Sequence, residues 1–200
     1  MPTTDCGIII LAAGNSSRLG MPKQLLTFEN KTLLQRVADE ALASGIGDIV
    51  VVTGFNHHDI ASSSLANTIH FVYNELWEQG MASSVGAGLS ALLTIQPHLH
   101  SVIIILCDQP FVSSLLLKEL VAQKEATAKG IVACAYKETV GVPALFSKFY
   151  FTDLLSLTGS EGAKKIIHAN RNDTTIVLFP QGDIDIDTKE QYENLIRSSS

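Results

Sequence analysis

The chain has 200 residues, 46% of them hydrophobic and 17% charged, a composition that builds one packed core and argues against disorder. Its formal net charge of −6 argues against a nucleic-acid or anionic-membrane surface, because phosphate backbones demand clustered Lys and Arg. Cys6, Cys107 and Cys134 show no C-x-x-C spacing, which fits a reducing, cytoplasmic setting, and no apolar run reaches the ~18 residues of a membrane span.

In chain order, Ile8–Leu11 is a short β-branched run long enough for one buried strand. A loop of small residues follows, and helical periodicity resumes at Leu33, runs to Ala43 and stops at Gly45, a candidate C-cap. Asp48–Thr53 reads as a strand, 59–65 as a short helix and Ile69–Tyr73 as a third strand. Ser83 or Ser84 is a candidate cap for a helix to about Thr94, and Val102–Cys107 is the most apolar strand. Ser113 or Ser114 starts a helix to about Lys124, and strands follow at Ile131–Ala135 and Val142–Phe146. Helices are expected at Tyr150–Leu157 and Glu161–Ala169, strands at Thr175–Phe179 and Ile184–Ile186, and a Thr188-capped helix to about Arg197.

Unbroken apolar strands alternating with helices imply an α/β fold: a Rossmann-like, doubly wound, mostly parallel sheet with helices on both faces. A single domain over 1–200 is expected, with 1–7 and 198–200 frayed.

The loop after the first strand, Ala12 to Lys23, carries Gly14, Ser16, Ser17 and Gly20 together with Arg18 and Lys23. Small residues expose backbone N–H groups and the two cations neutralise charge, a combination suited to a polyphosphate. Two common phosphate loops do not match. Five residues lie between Gly14 and Gly20 where a Walker loop has four, and Ser16 stands where a dinucleotide fingerprint has its second glycine. An ordinary strand-to-helix loop is the plainer alternative.

Leu11 to Lys23, read as L-A-A-G-x-S-S-R-L-G-x-x-K, resembles the signature of nucleotidyltransferases of the nucleoside-diphosphate-sugar pyrophosphorylase type. Within that group it is most similar to the molybdenum cofactor cytidylyltransferases, whose guanylyltransferase relatives usually carry L-A-G-G. Ala13 stands at the distinguishing position.

Asp108 ends the most apolar strand, in Asp108-Gln109-Pro110. It is either a turn residue or a carboxylate that meets solvent, a cation or a metal. Asp183, Asp185 and Asp187 alternate with isoleucine, which on an extended segment puts three carboxylates on one face. Such a face suits a solvated edge or a hard divalent cation such as Mg²⁺, and Asp187 or Thr188 is alternatively the cap of the last helix.

The resemblance implies that Asp108 and Asp185 hold Mg²⁺. It further implies that Arg18, Lys23 and Asp108 are catalytic and that Leu11, Ala12, Ala13, Gly14, Ser16, Arg18 and Lys23 contact the nucleotide. Asn74, Gly80, Ser83 and Ser84, in a segment similar to the family's N-x-x-(x)-G-M-x-x-S, line the same cleft. Two departures fall on the acceptor side: Gly141-Val142-Pro143 where the family has G-H-P, and Gly159-Ser160-Glu161-Gly162-Ala163-Lys164 where it has G-D-x-G-A-R. An Arg-to-Lys exchange at a phosphate contact is not conservative.

The implied activity is Mg²⁺-dependent transfer of a nucleoside monophosphate from an NTP, CTP first and GTP second, to a phosphate of molybdopterin, releasing pyrophosphate. A molybdoenzyme is the implied client, with no nucleic-acid or membrane partner. Another small-phosphate nucleotidyltransferase is the first alternative, and a non-catalytic nucleotide-binding chaperone or sensor is the second. His57, His58, His98 and His100 have no Cys or carboxylate at metal spacing and read as surface residues. Trp77 suits either stacking on a planar ring or simple packing.

Overall fold

A computed structural model of the chain describes residues 5–16, 19–61, 65 and 68–198. β1 (Cys6–Ala12) is buried along its whole length, so the fraying expected over 1–7 does not reach Cys6 or Gly7. A small hairpin, β2 (Thr27–Phe28) and β3 (Lys31–Thr32), then leads into α1 (Leu33–Ser44). Two residues per strand carry too little periodicity to be anticipated. α1 starts where Thr32 and Gln35 form a reciprocal capping box and stops at Gly45, whose φ of +64° favours glycine.

β4 (Ile49–Thr53), α2 (His57–Ala61) and β5 (Ile69–Tyr73) follow. α2 thus begins before the expected 59–65 helix, whose residues 62–64 lie outside the described ones. α3 (Met81–Ile95) has Gly80 at its N-cap, which places Ser83 and Ser84 inside the first turn rather than at the cap. β6 (Ser101–Leu106) and α4 (Ser114–Thr127) come next, and the Ser113 hydroxyl accepts the Leu116 N–H at 3.2 Å.

β7 (Ile131–Tyr136) turns directly into β8 (Thr139–Ser147). After them stand α5 (Phe151–Leu155), α6 (Lys164–Ala169), β9 (Thr174–Leu178) and α7 (Lys189–Ser198). α6 is shorter than the predicted helix because Gly162 adopts a φ of +57° just before it. The strand expected at Ile184–Ile186 does not form; the segment is irregular backbone. Thr188 caps α7, its hydroxyl accepting the Gln191 N–H at 3.2 Å.

The seven-stranded sheet runs β5-β4-β1-β6-β8-β7-β9. β5, β4, β1 and β6 are mutually parallel, β8 is antiparallel to both neighbours, and β7 pairs with β9 in parallel. Strand alternation sends Ile8 and Ile10 to one face, against Leu34 and Val37 of α1 and Leu117 of α4. Ile9 and Leu11 go to the other, against Val85 and Leu89 of α3 and Leu154 and Ile167 of the later helices. Both faces are covered, which is why the strands read as continuous apolar runs. Each fully buried isoleucine contributes about 1.5–3 kcal/mol by leaving water. Among the described residues no helix is long and apolar enough to cross a membrane.

Candidate active site

The carboxyl ends of β1 and β6 lie side by side, Leu11 opposite Leu106, and open sheets bind their ligands just beyond such ends. From β1 the chain runs into the Gly14 loop. The buried Gln24 side chain donates to the carbonyls of Ala12 at 2.8 Å and Gly14 at 2.9 Å, and Phe55 N–H donates to that of Ala13 at 3.2 Å. Three successive loop carbonyls are therefore engaged by protein donors. Ser16 closes the loop: its hydroxyl accepts the Lys23 N–H at 3.0 Å, and its carbonyl accepts from Leu19 at 2.9 Å and Gly20 at 3.2 Å.

That closure aims Lys23 across the sheet edge. Its ammonium hydrogen-bonds Asp108, just after β6, and Asp187 Oδ1 at 3.0 Å. Burial disfavours the Lys23 ammonium, but the Asp108 charge and the hydrogen bonds from Asp108 and Asp187 outweigh it and hold its pKa above the ordinary lysine value. Asp185 sits close enough to feel the same charges. Burial first, then the charges of Asp108 and Asp187, raise its pKa from the ordinary aspartate value. The third aspartate, Asp183, turns away and pairs with Lys137. The expected single face of three carboxylates is thus two, because the segment is not a strand and Ile186 is anchored among Leu26, Phe28, Leu33 and Leu195.

On the opposite wall Asn74 follows β5 and is buried. Its amide donates to the hydroxyls of Ser83 at 2.9 Å and Ser84 at 3.0 Å, and its Oδ1 accepts the Leu76 N–H at 3.0 Å. This ties the β5 exit to the first turn of α3. Gly80 makes the junction with φ +103°, and a Cβ there would stand 2.7 Å from the Gly159 carbonyl oxygen. Between the walls lies a cleft of about 550 Å³.

The family profile described as MobA-like NTP transferase domain matches residues 8–175, from β1 through the whole cleft. The chain belongs to the MobA-like NTP transferase domain family. This MobA-like chain is 26% identical to the purine catabolism protein PucB of Bacillus subtilis over 96% of both chains. It is 34% identical to the nicotine blue oxidoreductase of Paenarthrobacter nicotinovorans, where the match spans 52% of this chain and 50% of that relative. Among solved structures, Rv0371c of Mycobacterium tuberculosis superposes with a TM-score of 0.84 at 28% identity, covering 98% of this chain and 100% of that one. A manganese complex of Rv0371c gives a TM-score of 0.79 at 26% identity, over 96% of this chain and 98% of that one. The MobA-like chain is a nucleotidyltransferase of the pyrophosphorylase type with a single α/β fold.

Of the residues singled out from the transferase's sequence, Leu11, Ala12, Ala13, Gly14, Lys23, Gly80, Ser84 and Asp108 line the cleft. Ser16 and Asn74 do not line it but hydrogen-bond Lys23 and Ser84, which do; Ser83 lines a separate cavity with Leu76 and Gln79, and Arg18 lies outside the described residues. On the acceptor side Ser160 reaches the cleft, whereas Lys164 lines a separate cavity of about 390 Å³ beside Glu138, His168 and Arg171. The Val142 carbonyl accepts from Gln109 and from Tyr136 Oη, each at 3.2 Å. His57 is not a plain surface residue: its ring contacts Tyr73 and its Nδ1 lies 2.7 Å from Thr53 Oγ1.

Sequence reasoning missed Gln24 and Gln109. Both are buried amides whose partners are distant backbone carbonyls, and only their place beside Lys23 and Asp108 hints at a role.

The carboxylates fit a divalent cation. Asp108 Oδ1 is buried with no hydrogen-bond partner among the described residues, and the mutual repulsion at Asp185 is what a cation relieves. Among the described residues no cluster of three or more His, Cys, Asp or Glu is arranged to hold a metal. Mg²⁺ sites commonly use only one or two carboxylates together with substrate phosphates.

Proposed function

We propose that this transferase joins the nucleoside monophosphate of CTP, with GTP as second choice, to a terminal phosphate of molybdopterin. The observation that carries the reading is that Lys23, at the close of the Gly14 loop beyond β1, brings Asp108 and Asp187 together. The CTP preference rests on Ala13, and the molybdopterin acceptor rests on the motif resemblance together with membership of the MobA-like family.

In this mechanism an acceptor phosphate oxygen attacks the α-phosphorus and forms the new P–O bond. The α–β bridging P–O bond breaks, and its electron pair leaves with pyrophosphate. The nucleophile is already an anion, so positioning and charge neutralisation supply the catalysis. Backbone groups from Leu11 to Gly14 hold the nucleoside, and Arg18 with Lys23 holds the triphosphate. The Lys23 ammonium exchanges its aspartate partners for phosphate oxygens as substrate enters. Asn74 sets Ser83 and Ser84 on the facing wall. Asp108 and Asp185 would hold Mg²⁺, which when bound neutralises charge on both substrates' phosphates. The manganese complex of Rv0371c supports a divalent ion in this fold.

Mg²⁺-dependent pyrophosphate release with CTP, GTP, ATP and UTP, each with and without molybdenum-loaded pterin cofactor, tests the reading. Release with CTP and cofactor alone is expected. Release only with a different acceptor would transfer the assignment to another small phosphate, the outcome to which the departures at Val142 and Ser160 point. Nucleotide binding without any release would favour a chaperone or sensor.

A further inference from the structure

The cleft is lined by charged side chains and by one aromatic ring. Lys23, Asp108 and Glu78 supply its charged lining, and Trp77, the chain's single tryptophan, is the aromatic residue that lines it, near the Ala13 carbonyl of the Gly14 loop. Trp77 opens a 3-10 turn, Trp77–Gln79, between β5 and α3. Its placement is over-determined. Its N–H donates to the Asn74 carbonyl at 3.2 Å, and its own carbonyl accepts the Gly80 N–H at 3.1 Å.

Gly54 brings the indole in. A Cβ on Gly54 would lie 2.5 Å from Trp77 Cβ, 2.6 Å from its Cγ and 2.8 Å from the Ala13 carbonyl oxygen. Only a residue without a side chain lets the β4 exit, the Gly14 loop and the indole share that space. The next residue, Phe55, sets its ring 5.5 Å from the indole at a 58° tilt.

Phe55, against the indole, is 45% exposed, and Met81, which lines the cleft, is 37% exposed. A cluster of large apolar groups rimming a charged cleft marks a ligand surface rather than packing. A nucleotide or a pterin phosphate has the complementary shape, an anionic end and a flat ring end.

We infer that Trp77, buttressed by Gly54 and Phe55, forms the platform on which the planar heteroaromatic ring of a substrate stacks. The inference rests on the nucleotidyltransferase reading and adds a ring-binding subsite to it. The ring is either the base of the NTP or the pterin of the acceptor.

Because Trp77 is the only indole, its fluorescence reports the subsite directly. The wild-type protein is titrated in Mg²⁺ buffer with CTP, GTP, inorganic tripolyphosphate and neopterin, with inner-filter correction and calorimetry run in parallel. Saturable quenching by CTP or GTP but not by tripolyphosphate is expected if the base is the ring. Quenching by neopterin with none by the nucleotides assigns the pterin instead, and either result upholds the platform.

Trp77→Leu is then expected to weaken the quenching ligand about tenfold, with Trp77→Phe retaining most of the affinity, as loss and conservation of a stacking face predict. Calorimetric binding of CTP or neopterin with unchanged fluorescence would overturn the platform while leaving the transferase reading intact. Quenching by tripolyphosphate equal to that by CTP would overturn it as well. Binding of none of the probes would overturn both.

Discussion

Lys23 Nζ lies 3.0 Å from Asp187 Oδ1, joining the first loop of the chain to the segment before its last helix. The same ammonium holds Asp108 at the end of β6. One cation thus draws together three parts of the chain remote in sequence, and it stands where a polyphosphate would compete for the ammonium and a metal for the carboxylates.

Replacing either member of the Lys23–Asp108 pair removes charge aimed at the reaction. Lys23→Ala and Asp108→Ala are each expected to lower turnover by on the order of 10²-fold or more, the usual cost of deleting an electrostatic stabiliser. Pyrophosphate release at saturating NTP and Mg²⁺ measures it, and near-normal rates in either variant would refute the assignment.

Asp185 gives a pH prediction of definite sign. Its pKa is raised in the folded protein by burial and by Asp108 and Asp187, so the native state holds its proton more tightly than the unfolded chain. That favourable contribution is full below the ordinary aspartate pKa of 3.8 and is lost as pH rises from there through the raised value. Metal-free Asp185→Asn is therefore expected to melt higher than wild type at pH 7, with the gap closing toward pH 4. Thermal melts with and without Mg²⁺ check this, because Mg²⁺ should raise the wild-type Tm and leave the variant nearly unmoved. A variant that melts no higher at pH 7 would count against the repulsion.

Asn74 supports the wall opposite Lys23 by donating to two serines from a buried position. Asn74→Ala leaves those hydroxyls and the Leu76 N–H without this partner, an expected loss of about 1–3 kcal/mol in denaturant melts. KM for the NTP should rise as the first turn of α3 loosens. Wild-type stability and KM together would show that the amide is dispensable.

Ala13 is the residue at which the motif distinguishes cytidylyl from guanylyl relatives, and its carbonyl is already taken by Phe55 N–H. Ala13→Gly is expected to shift the CTP:GTP ratio of kcat/KM toward GTP. An unchanged ratio would remove Ala13 as the selector.

Much of this molecule was legible in its residues because the relevant signals are local. Unbroken β-branched runs announced a sheet buried on both faces, and Gly45 marked the end of α1 through capping chemistry that needs only near neighbours. The Leu11–Lys23 motif pointed to the family for the same reason, since one contiguous loop carries it.

The tertiary structure decided what depends on distant partners. Asp183, Asp185 and Asp187 look equivalent along the chain, yet anchoring of Ile186 in the third apolar cluster leaves the segment irregular. Asp183 pairs with Lys137 and Asp187 with Lys23, while Asp185 is left half-buried within the field of Asp108 and Asp187. Gln24 and Gln109 were silent for the same physical reason, as was the part Gly54 and Phe55 play beside Trp77, whose stacking or packing the sequence left open. Side-chain amides and ring faces acquire meaning only from carbonyls and backbones that the fold brings to them.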